Sequence, residues 1–142
     1  RYPLPWSIYK WLEGSNASIE RITDLSQFAT ALGGVLNALQ ECDATGGPLA
    51  GEHNFYRGGS LAIYNTETRK AIENLEDENY AKASTEIWDL ALASAWERPP
   101  VWIHGDVAVG NLLVNNNGQL SAVIDFGQLG IGDPACDLAI AW

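Results

Sequence analysis

Residues 112–124, LLVNNNGQLSAVI, allow few arrangements of the backbone. Two short apolar runs flank NNNG, and Asn and Gly tolerate the left-handed backbone that tight hairpin turns demand. A turn at Asn116 to Gly118 pairs the strand opening at Asn111 with the strand closing at Asp125. These two polar residues then meet at the open end of the hairpin. A third apolar strand, VWI at 101–103, follows Pro99-Pro100 and leads into HGDVAVGN, residues 104–111. Asp106 lies on that loop, just before Asn111. Three oxygen-bearing side chains thus converge. Hard cations such as magnesium take such oxygens and leave positions for water and phosphate, while an acid free of the metal can orient a hydroxyl. A plain polar loop between two strands is the structural alternative.

Upstream the pattern is helical. Leu25, Phe28, Leu32, Val35, Leu36 and Leu39 recur at intervals of three and four, giving one apolar helix face with Thr23 or Asp24 as N-cap. The Gly33-Gly34 pair weakens this helix and allows close packing against a neighbour. Residues 43–60 form a long glycine-rich loop, of a length usually functional or mobile. Its His53 reads as a loop-structuring residue, with a substrate role as the lesser reading.

Two more helices are expected, over 64–75 and 78–95. Tyr80, Ala83, Ile87, Leu90 and Ala91 line one side of the second, and Glu73, Glu76, Asp77 and Glu78 gather at the junction as a solvated helix end. At the start, LPWSIYKWL (4–12) reads as a strand held to an edge by Pro3 and Pro5. At the end, CDLAIAW continues a helix that begins near Asp133 and is unfinished at Trp142. The chain also lacks methionine, so it reads as a piece of a longer protein.

Composition narrows the function classes. With 46% apolar and 18% charged residues the chain is globular rather than disordered. A formal net charge of -10 argues against nucleic acid and suits either a cationic partner or a merely soluble surface. No apolar run could span a bilayer and the residues show no basic-then-apolar signal peptide, so a cytoplasmic location without membrane partners is expected. Cys42 and Cys136 lack metal-type spacing and read as free thiols.

HGDVAVGN followed by IDFG resembles the catalytic loop and Asp-Phe-Gly of the eukaryotic-like kinases. Glycine after the histidine, with GDPACDLA beyond, resembles the aminoglycoside phosphotransferase family, and LPWSIYKWLEG resembles a bacterial branch of it. The likeness covers nearly the whole chain and is strongest over residues 101–141. It implies an α+β fold, the C-terminal lobe of a protein-kinase-like protein, truncated at both ends. Residues 1–14 would be the last strand of the N-terminal lobe and the hinge, 15–100 a helical substrate-side subdomain, and 101–142 the catalytic core.

The resemblance also implies roles. Asp106 positions the acceptor hydroxyl and takes its proton; Asn111 and Asp125 hold Mg2+ on the phosphates of ATP or GTP. His104 braces the loop, and Asp137 supports it from the following helix, which Asp133 caps. Trp11, Leu12, Glu13 and Gly14 form the hinge that meets the base, with core packing the alternative for Trp11. The implied partner is a small-molecule acceptor, cationic if the acidic surface serves it. The family's phosphate-covering loop, strand lysine and partner glutamate have no counterpart here. Two other readings carry less: a kinase-shaped binding protein, which the intact acids disfavour, and a metal phosphoesterase, which would need more histidines than His104 and His53.

Overall fold

A computed structural model describes residues 4 and 6–141. In chain order its regular elements are β1 (Ser15–Asn16), α1 (Leu25–Gln40), α2 (Asn65–Glu73), α3 (Glu78–Ala93), β2 (Val101–Ile103), β3 (Leu112–Val114), β4 (Leu120–Val123) and β5 (Gly130–Gly132), with short 3-10 turns between them. The arrangement is α+β with small antiparallel sheets, as the sequence implies.

The hairpin forms where its turn signal lies. Leu112 pairs with Val123 and Val114 with Leu120. The Asn115 side chain closes the turn by accepting from the backbone N–H groups of Asn117 and Gln119. β1 adds to the outer edge of β3, and β2 pairs with β5 in a separate two-stranded sheet. Leu112 and Val114 point into a core with Ala17 and the Phe28, Leu32 and Leu36 stripe of α1. Each such side chain, fully buried, contributes about 1.5–3 kcal/mol. Asp24 caps α1 by accepting from the Gln27 N–H.

Three expectations are corrected. Residues 6–12 form no strand; a strand exists only through its ladder, and among the described residues nothing pairs with this segment. Its Pro3 and Pro5 lie outside the described residues. The Gly33-Gly34 pair packs against nothing, since a Cβ on either would meet open space. The α3 helix forms as expected, and the side that Tyr80, Ile87 and Leu90 line is exposed. The helix instead turns its Trp88 side to α2, where the indole Nε1 donates to Asn65 Oδ1 and Asp89 pairs with Arg69. Finally, Pro134–Ala141 is a 3-10 rather than an α-helix.

No helix among the described residues is long and apolar enough to cross a membrane. Asp77 accepts from the N–H groups of Asn79 and Tyr80, so the acidic junction includes a working N-cap.

Candidate active site

The long loop at 43–60 is stitched to the β2–β5 sheet rather than loose. Pro48 O accepts from Ile131 N at 2.8 Å, Gly58 O from Asp133 N at 2.8 Å, and Asp43 O from the Trp102 indole at 2.8 Å. These bonds tie the free edge of β5, and the Trp102 side chain of β2, to the loop. The site is built on that platform.

β2 delivers His104, Gly105 and Asp106 in turn. Asp137, 2% exposed, accepts from the backbone N–H groups of His104 and Gly105 at 2.8 Å each, one on each carboxylate oxygen. This charge-assisted pair fixes the loop's entry by its main chain. The His104 ring is fully buried. Its Nδ1 accepts from Asp106 N at 3.2 Å, so its Nε2 carries the proton and donates to Ile124 O at 2.9 Å. Phe126 covers the ring at 4.7 Å. With both nitrogens used, this imidazole joins the 104–111 loop to the residue before Asp125. It is a brace.

Gly105 explains the glycine of HGD. Its φ is +80°, and a Cβ there would lie 2.5 Å from the Gln128 carbonyl oxygen. Gly105→Ala is therefore expected to destabilise by about 2 kcal/mol or more, from left-handed strain and the clash together. Gly33→Ala, in open helical space, should stabilise by roughly 0.5–1 kcal/mol. Denaturant unfolding of the two variants checks the opposite signs; equal effects would refute the reading.

Asp106 and Asn111 come together. Asn111 Nδ2 donates to Asp106 O at 2.9 Å and to Asp106 Oδ2 at 3.0 Å. Asp106 Oδ1 is met by Arg57 Nη1 at 3.2 Å. At the hairpin's open end, Ile124 N donates to Asn111 O at 2.9 Å, and Asp125 follows in the left-handed region with φ 63°. Asp125 is exposed and accepts from Gly127 N at 3.3 Å. No three His, Cys, Asp or Glu side chains cluster as a metal centre among the described residues. The donor set does fit a hard cation carried in with phosphates: with Nδ2 engaged, Asn111 keeps its Oδ1 oxygen, and Asp125 supplies a carboxylate.

A cavity of about 820 Å³ opens beside the hairpin, and Trp11, Leu12 and Gly14 line it together with Asp125, Phe126 and Leu113. Glu13 does not line it; its carbonyl faces the Ser121 hydroxyl instead. Trp11 is 81% exposed, so it packs into no core formed by the described residues. Gly14 is needed because a Cβ would come within 2.9 Å of Leu113 Cβ. Asp106 and Asn111 lie outside this cavity's lining. A second cavity of about 500 Å³ lies between the 58–62 segment and the end of α3. His53 is exposed and lines neither.

Sequence reasoning missed Lys10, which lines the larger cavity, and Arg57. One signal could have found Arg57. Residues 99–142 hold Asp106, Asp125, Asp133 and Asp137 but no lysine or arginine, so a cation for this site must come from elsewhere. Cys136 is no nucleophile: burial first, and then Asp137 and Asp133, push its thiol up to about 12.

A family model described as the phosphotransferase enzyme family matches residues 1–142. No curated protein matches the chain. Among solved structures, the ternary complex of streptomycin and ATP with APH(2")-IIa is 20% identical, with a TM-score of 0.49 over 90% of this chain and 46% of that one. This chain thus spans less than half the length of that structure's chain.

Proposed function

The chain belongs to the phosphotransferase enzyme family, and on that premise we propose that it carries the catalytic half of a magnesium-dependent kinase acting on a hydroxyl of a small molecule. The observation that carries this is the joining of Asp106 to Asn111 on the loop that opens the hairpin, whose neighbouring cavity is lined by Asp125 together with Trp11, Leu12 and Gly14. The nucleotide, ATP or GTP, would enter that cavity with its base toward Trp11 and Leu12. Apolar walls suit a base, and a few oxygens at one end suit phosphates.

Asn111 and Asp125 would hold magnesium, which when bound neutralises charge on the phosphates. Asp106 would accept the acceptor's hydroxyl proton. Each of its carboxylate oxygens has one partner and a further lone pair, so it can take a hydroxyl without losing Asn111. The acceptor oxygen bonds to the terminal phosphorus as the bond to the bridging oxygen breaks, and the nucleoside diphosphate leaves with that electron pair. Positioning and electrostatics supply most of the acceleration in such transfers.

Screening the full-length protein for magnesium-dependent nucleotide consumption against hydroxylated acceptors, aminoglycosides included, tests the reading. Acceptor-dependent consumption is expected. Absence of both consumption and nucleotide binding would sink it. The net charge of -10 and the exposed Glu73, Glu76, Asp77 and Glu78 support a cationic acceptor. Its KM should then rise as salt is added while the nucleotide's changes less. A salt-independent acceptor KM would return these acids to the role of a solvated surface.

A further inference from the structure

We propose that Arg57 is a catalytic residue: anchored on Asp106 through Nη1, it presents its Nε–Nη2 edge to the nonbridging oxygens of the phosphoryl group in transfer. The inference rests on the phosphotransferase reading above. Arg57 Nη1 donates to Gly105 O at 2.5 Å and to Asp106 Oδ1 at 3.2 Å. Among the described residues the Nε and Nη2 donors have no protein partner. That edge is the fork with which guanidinium grips phosphate in bidentate fashion. It sits on the acid that would take the proton, where charge develops.

Charge balance demands such a group. The segment from 99 to 142 contributes four aspartates and no basic side chain. The HGDVAVGN loop itself has no cation between Asp106 and Asn111 to meet a phosphoryl oxygen. Phosphoryl transfer relies on positive groups around the equatorial oxygens, and an arginine supplied from another segment can serve.

The loop is built to place this side chain. Asn54, fully buried, accepts from Gly51 N and donates through Nδ2 to Arg57 O at 3.1 Å. The two residues before Arg57, Phe55 and Tyr56, both adopt left-handed backbone at φ 52° and 57°. The Tyr64 hydroxyl donates to the Phe55 carbonyl, pinning the turn. Bulky side chains rarely occupy that region, and strain of this kind collects at functional sites. The ion pair does not explain it: with side chains 41% and 30% exposed, Arg57–Asp106 is too wet to repay two strained residues through stability.

During transfer the terminal phosphorus exchanges its bond to the diphosphate for one to the acceptor oxygen. The acceptor's proton goes to Asp106, and Arg57 stays protonated throughout. The test is binding of MgADP with aluminium fluoride, a mimic of the phosphoryl group in flight, to the full-length protein. In the wild type, aluminium fluoride should tighten MgADP binding. In Arg57→Gln that tightening should fall by about 100-fold, with affinity for MgADP alone unchanged. Arg57→Lys, which keeps charge without the fork, should recover part of it. Equal tightening in wild type and Arg57→Gln overturns the assignment. So does a parallel loss of MgADP affinity and thermal stability in both variants, which would make Arg57 a brace. A wild type that binds MgADP in neither condition overturns the phosphotransferase reading itself.

Discussion

Asp106→Asn is expected to lower turnover of the full-length protein by about 10²- to 10⁴-fold and to leave nucleotide affinity close to wild type. The asymmetry comes from where Asp106 stands. It is outside the lining of the 820 Å³ cavity, so it need not touch the nucleotide. Both its oxygens accept from donors, Asn111 Nδ2 on one side and Arg57 Nη1 on the other. An amide in its place turns an NH2 toward one of those donors and cannot take a proton from a hydroxyl. Steady-state kinetics with calorimetric nucleotide titration read the two effects separately. Unchanged turnover would remove Asp106 from the mechanism; a matched fall in nucleotide affinity would make it a binding residue.

The second large effect is at the metal. Asp125→Ala should abolish the part of nucleotide affinity that depends on magnesium, because the hairpin end loses its one carboxylate. Alanine at φ 63° also adds backbone strain, so Asp125→Asn is the sharper variant: asparagine tolerates the left-handed region and removes only charge. Asn111→Ala should weaken the magnesium dependence less, since a neutral amide attracts the ion less strongly. Titrations with and without magnesium decide. Full magnesium dependence in Asp125→Asn would count against the assignment.

Local signals were legible in the sequence, and signals set by distant partners were not. The hairpin could be read because its turn chemistry and apolar runs lie within residues 112–124, although its register sets Asn111 opposite Ile124 rather than Asp125. The α1 stripe of Phe28, Leu32 and Leu36 was readable for the same reason. The strand at 4–12 failed because apolar content says nothing of a pairing partner. On α3, Tyr80, Ile87 and Leu90 have helical spacing, yet the contacts that orient the helix come from Asn65 and Arg69 on α2. Arg57 was hidden in a glycine-rich loop, 49 residues from the acid it meets. Only the missing basic residues after Arg98 hinted at it.

The catalytic loop is fastened at its ends. Asp137 grips the amides of His104 and Gly105, and Asn111 returns to the Asp106 carbonyl. Between these anchors Val107 packs on the core, while Ala108, Val109 and Gly110 face outward. Neither the Ala108 nor the Val109 side chain takes part in fastening the loop. A lineage could therefore exchange Ala108 and Val109, altering size or polarity beside the acid, without disturbing the chemistry. The loop thus separates positions that its fastening fixes from positions that can drift.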